Sequence, residues 1–165
     1  MSTPADWVKA FGRQADADFR TWQALDGQRS VPKCHGLLFL QMACEKLCKA
    51  HLISGGASPG KRHAFIAKHL PVIVKREIVS RRRDVKGMGG VLEAARHLAR
   101  EIELLNPAVD RDARRPDNCE YPWEDDSGVV RSPLDWTFYP SRLLTAPNGR
   151  TLLKLMRMAI DRLLR

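Results

Sequence analysis

The sequence predicts an all-α protein, and three observations carry that expectation. Apolar residues recur at steps of three and four in residues 4–25, 90–105 and 149–164, the period of a helix that buries one face. Residues 36–53 (GLLFLQMACEKLCKAHLI) are apolar around most of a helical circumference, as in the central helix of a bundle. No two strand-like runs are present that could pair as a sheet. The expected architecture is an up-down bundle of four to five helices in one domain over residues 1–165, with a long ordered Pro- and aromatic-rich insertion (about 107–147) before the last helix.

The first helix carries Val8, Phe11, Ala15, Phe19, Trp22 and Leu25 on one stripe. Thr3 is its expected cap, Pro4 suits the first helical position, and Asp26-Gly27 ends it. The second helix is expected from about Val31 to Ile53, capped by Ser30 and stopped by Gly55-Gly56. A third helical region covers about 60–83, where Pro71 predicts a kink or two short helices. The fourth, about 90–105, buries Val91, Ala95, Leu98, Ile102 and Leu105. The last, about 149–164 with Asn148 as its cap, buries Leu152, Leu155, Met156, Ala159, Ile160 and Leu163. Between these two, six prolines interrupt the helical period, yet Tyr121, Trp123, Trp136, Phe138 and Tyr139 give the insertion enough apolar surface to pack on the bundle.

Length and composition narrow the class. The chain has 165 residues, enough for one core, with 44% apolar and 28% charged side chains, the balance of a globular protein. No apolar run approaches the roughly 20 residues needed to span a bilayer. The start MSTPADWVKAF lacks the basic patch and apolar run of a signal peptide, so the expectation is a cytoplasmic protein without membrane contact. Cys34, Cys44, Cys48 and Cys119 show neither a CxxC pair nor a disulfide framework and are expected as buried free thiols. No metal or cofactor is expected.

The net charge of +9 is concentrated. Residues 1–60 sum to +2, residues 61–86 to +7 and residues 87–165 to zero. A basic segment of this kind attracts polyanions, of which nucleic acid is the commonest. Lys61, Arg62 and His63 at the expected start of the third helix, with Arg81, Arg82 and Arg83 beyond its end, are the candidate phosphate-binding residues.

At the second helix the sequence FLQMACEKLCKAHL (39–52) resembles the signature helix of HEPN (higher eukaryotes and prokaryotes nucleotide-binding) domains, with Gln41, Glu45, Lys46, Lys49 and Ala50 at the matching positions. An amphipathic first helix with Asp18-Phe19, a Gly/Pro loop, His63 opening the third helix and Glu120-Tyr121-Pro122-Trp123 before the last helix follow in the same order. The resemblance implies a homodimeric domain acting in prokaryotic defence, toxin–antitoxin or stress systems. It further implies binding of a nucleotide or RNA, or association with a small nucleotidyltransferase partner.

One departure sets the expected activity. HEPN ribonucleases resemble one another in an Arg followed four to six residues later by His near the start of the last helix. The imidazole moves a proton at the 2′-hydroxyl or leaving oxygen, and the guanidinium holds the phosphate. No His follows His97 here, so that position is empty and a non-catalytic binding domain is expected. The alternatives are a metal-independent ribonuclease using a displaced pair, Arg62 and His69 aided by Glu45, and a pure protein-interaction module. Gln41, Glu45 and Lys49 lie four apart and form one polar stripe, read as facing solvent or a dimer partner. Asn118, Glu120, Tyr121 and Trp123 form an aromatic and acidic patch, in which Tyr121 and Trp123 either stack on a base or anchor the insertion.

Overall fold

A computed structural model describes residues 2–58, 63–80, 88–109 and 117–165. These residues form an all-α bundle: α1 (Pro4–Leu25), α2 (Lys33–Ser54), α3 (Ile66–Ser80), α4 (Gly89–Glu103), α5 (Tyr139–Thr145) and α6 (Pro147–Leu163). A two-stranded antiparallel hairpin, β1 (Trp123–Glu124) and β2 (Val130–Arg131), lies in the insertion, with Trp123 opposite Arg131.

Local chemistry sets the α1 boundaries. Thr3 and Asp6 form a capping box, each side chain bonding the other's backbone N–H, and Gly27 takes a positive φ just past the end. The other starts depart from expectation. Pro32 restricts Val31 to extended backbone, so α2 begins at Lys33 with no side-chain cap, and Ser30 lies in the preceding turn. Pro147 is already shaped for the first helical position, so α6 starts there and Asn148 lies inside the first turn rather than capping it.

Pro71 does not split α3, which runs unbroken from Ile66 to Ser80. An interior proline costs roughly 3 kcal/mol. Burial of Ile66, Leu70, Ile73, Val74 and Ile78 offsets that cost, each fully buried aliphatic side chain contributing about 1.5–3 kcal/mol. The expected count of four to five helices becomes six among the described residues because the insertion contains α5. Only seven residues long, α5 is held by burial of Pro140 and Leu144 rather than by a periodic face.

Helix α1 packs along α2 and α3 along α4, while α6 touches α1, α3, α4 and α5. Leu37, Leu40, Ala43, Cys44, Leu47 and Cys48 of α2 are all nearly inaccessible, as the circumferentially apolar sequence implies. All four cysteines are buried and free. The insertion closes on the core through Trp123, packed edge-on to Trp136 at 5.4 Å and against Phe138 at 6.5 Å. No helix among the described residues is long and apolar enough to cross a membrane.

Candidate functional site

The polar stripe of α2 points into the molecule. Gln41 is 2% exposed and Glu45 is 9% exposed, so the stripe does not face solvent as the spacing alone suggested. An ionised carboxylate in that position needs partners. Glu45 has three. Its Oε1 accepts from Lys49 Nζ at 2.6 Å, and its Oε2 lies 3.3 Å from Gln41 Nε2 and 3.3 Å from His63 Nδ1. Lys49 also lies 6.0 Å from the Phe11 ring and 5.7 Å from the Phe65 ring, within cation–π range of both.

These contacts join three elements: α2 supplies the carboxylate and the ammonium, the segment before α3 supplies His63 and Phe65, and α1 supplies Phe11. Burial pushes the Glu45 carboxyl up, but the Lys49 hydrogen bond and charge, with those of His63, outweigh it and hold the group below its ordinary range. Glu103, at the end of α4, has the opposite balance. Burial raises its carboxyl more than the backbone N–H groups of Ala67 and Ile66 lower it. It accepts from Ala67 N at 3.1 Å and so closes the first turn of α3 beside the cluster.

His63 is the accessible member, with 45% of its side chain exposed. With Nδ1–H donating to Glu45, Nε2 carries the lone pair in the neutral imidazole and donates to an anion only in the imidazolium. The structure brings His63, not His69, to Glu45. His69 lies one turn into α3, where burial and the charge of Lys68 lower its pKa, and its field is felt at His51. The carboxylate expected to aid the displaced pair of Arg62 and His69 is engaged by His63. Lys61, Arg62, Arg81, Arg82 and Arg83 lie outside the described residues.

Two other positions of the resemblance meet directly. Lys46 Nζ lies 2.8 Å from Asp18 Oδ2 and forms an ion pair with it across the α1–α2 interface. The aromatic and acidic patch forms a separate unit. Asn118 Oδ1 accepts from the backbone N–H of Glu120 and Tyr121 at 2.9 and 2.7 Å, closing a turn. Tyr121 is 60% exposed, Glu120 is exposed, and Trp123 is buried, so Trp123 anchors the insertion while Tyr121 remains open. Asp125 holds the hairpin through Ser127, Val129 and Arg131. No group of three or more His, Cys, Asp or Glu among the described residues is placed to hold a metal ion.

The spacing of the sequence does not reveal the Glu45–His63 contact, because the partners are 18 residues apart across a loop. Trp7 was also missed. It is 52% exposed on α1, outside the buried stripe, and an aromatic side chain off the apolar face was the available signal. Among known proteins, no family model, no curated protein and no solved structure matches this chain.

Proposed function

We propose that the chain is a HEPN-like domain that binds the phosphate groups of RNA or a nucleotide without cleaving them. The supporting observation is the placement of His63: its Nδ1 is held by the buried Glu45 carboxylate, and its exposed side chain follows directly on Lys61-Arg62 in the most basic stretch of the sequence. With its orientation fixed by the carboxylate, the imidazolium form of His63 presents Nε2–H to an anion at little entropic cost. The missing His in the last helix favours binding over cleavage. By the same resemblance the domain acts as a homodimer in a prokaryotic defence, toxin–antitoxin or stress system, with a small nucleotidyltransferase as the alternative partner to RNA or a nucleotide.

Titration with a fluorescent single-stranded RNA tests this reading. His63→Ala should weaken binding about tenfold, the loss of one charge-assisted hydrogen bond. Absence of binding to RNA, DNA and nucleotides at low salt contradicts it.

The Glu45–His63 pair favours one second reading, a ribonuclease in which His63 moves the proton of the attacking 2′-hydroxyl. Incubation of the purified protein with mixed RNA decides between them. Cleavage that disappears in His63→Ala establishes the enzyme, and intact RNA after prolonged incubation supports the binding role.

A further inference from the structure

We infer that the groove between α3 and α4 is a sequence-independent track for the phosphates of an RNA strand; this rests on the RNA-binding reading above and adds a site outside the His63 cluster. The groove has a volume of about 330 Å³. Lys68 and Lys75 of α3 line it together with Arg96 and Arg100 of α4, and all four are exposed. The rest of the lining is aliphatic, Val72 and Leu92 included, with neither a carboxylate nor an aromatic ring. The helical period builds this arrangement. Residues 68, 72 and 75 fall on one flank of α3, and 92, 96 and 100 on one flank of α4. Each flank adjoins the buried row, so packing α3 on α4 brings the two flanks to one groove.

Folding alone does not account for the charges. Arg96 and Arg100 are like charges one turn apart, which repel on a helix surface, and the lysines add to the repulsion. Among the described residues none of the four forms an ion pair, whereas Glu77 of α3 is bound to Arg162 of α6. An external anion supplies the missing counter-charge, and the spacing selects its class. Lys68 and Lys75 are seven residues apart, about 10 Å along the axis, and Arg96 and Arg100 four apart, about 6 Å. One phosphate cannot reach all four, so the groove fits a chain of phosphates rather than a mononucleotide. Without an aromatic ring there is no platform for a base, and contacts to phosphate carry no sequence information. The two arginines belong to residues 87–165, whose charges sum to zero, so regional charge alone did not reveal them.

The test titrates oligo-U and a mixed-sequence single-stranded RNA, each of about 12 nucleotides, with UMP and a poly-glutamate of the same length as comparisons. Affinities are measured between about 50 and about 200 mM salt for wild type, for Arg96→Gln/Arg100→Gln, and for a charge-matched control on α1 and α6, Arg13→Gln/Lys154→Gln. All four positions are exposed and Gln is a good helix former, so thermal melts of both variants should match wild type. The groove variant should bind both RNAs about tenfold more weakly at the lower salt, and its slope of log affinity against log salt should be shallower by about 1.4, about 0.7 for each lost phosphate contact. The control should stay within about twofold of wild type, because charges far from the groove are screened. The two RNAs should bind alike, and UMP far more weakly than either. Equal slopes and affinities in wild type and the groove variant overturn the track while leaving the RNA-binding role to the His63 cluster. An equal loss in the control also overturns it, assigning the effect to net charge. A strong preference for one RNA sequence overturns the sequence-independent reading. Poly-glutamate that binds as tightly as RNA and is lost in the groove variant replaces the RNA occupant with an acidic protein. No RNA binding by wild type removes the RNA-binding reading, and the track with it.

Discussion

Removing the Glu45 carboxylate leaves the Lys49 ammonium, 13% exposed, beside two aromatic rings and without the oxygen 2.6 Å away. Breaking one side of a largely buried ion pair costs about 2–4 kcal/mol, so Glu45→Ala should lower the unfolding free energy by that amount in urea melts. Replacing Lys49 by Met as well should recover part of the loss. The two carboxyls of this region also impose opposite pH dependences. The Glu45 carboxyl is held below its ordinary range, so its stabilisation is present above that range, about pH 4.3–4.5, and is lost as pH falls through the folded value. The Glu103 carboxyl is raised by burial, so its contribution is present below the ordinary range and is lost as pH rises through its folded value. Glu45→Gln should therefore lower stability at neutral pH and flatten the acid limb. Glu103→Gln, which keeps an acceptor for the Ala67 N–H, should raise stability at neutral pH. Urea midpoints at several pH values between about 3 and 7 separate the two.

At the scale of elements, local signals were legible and long-range ones were not. Both ends of α1 follow from Thr3, Pro4, Asp26 and Gly27, because caps act through neighbours in sequence. The circumferential burial of α2 follows from its composition. The start of α2 was misplaced, since the restriction Pro32 puts on Val31 outweighs a serine cap, and of the two outcomes expected at Pro71 the split into short helices does not occur, since tertiary burial outweighs one lost hydrogen bond. Helix α5 left no periodic trace because packing makes it. The polar stripe was visible in residues 41, 45 and 49, but its burial depends on which helices surround α2. The corner between α5 and α6 supplies a test of that packing. A Cβ at Gly149 would overlap the Leu143 carbonyl and lie 3.0 Å from Leu144 Cα, whereas a Cβ at Gly36 in α2 would meet only Trp22 Cδ1 at 3.8 Å. Gly149→Ala should destabilise by about 3 kcal/mol, and Gly36→Ala should be neutral or stabilise by up to about 1 kcal/mol. Thermal melts of the pair check both signs.

For the molecule as a whole, the charge distribution sets the expected behaviour. The +7 of residues 61–86 stands against zero over residues 87–165. Within the described part of that basic segment, Lys68, Lys75 and Arg76 are on or beside α3, and Glu77 is paired with Arg162 of α6 at 3.0 Å. The acid on this helix is thus neutralised within the fold, and under the proposed function the cations of the basic segment meet an external polyanion. Binding driven by phosphate neutralisation releases counterions, so its affinity must fall steeply as salt rises. The most direct measurement is the affinity for a single-stranded RNA at about 50 and about 200 mM salt, for wild type and for a variant with Arg81, Arg82 and Arg83 changed to Glu. Wild type should lose about tenfold or more in affinity across that range, and the variant should bind too weakly to measure even at the lower salt. A wild-type affinity indifferent to salt, or a triple variant that binds as well as wild type, would contradict a phosphate-binding role for the basic segment.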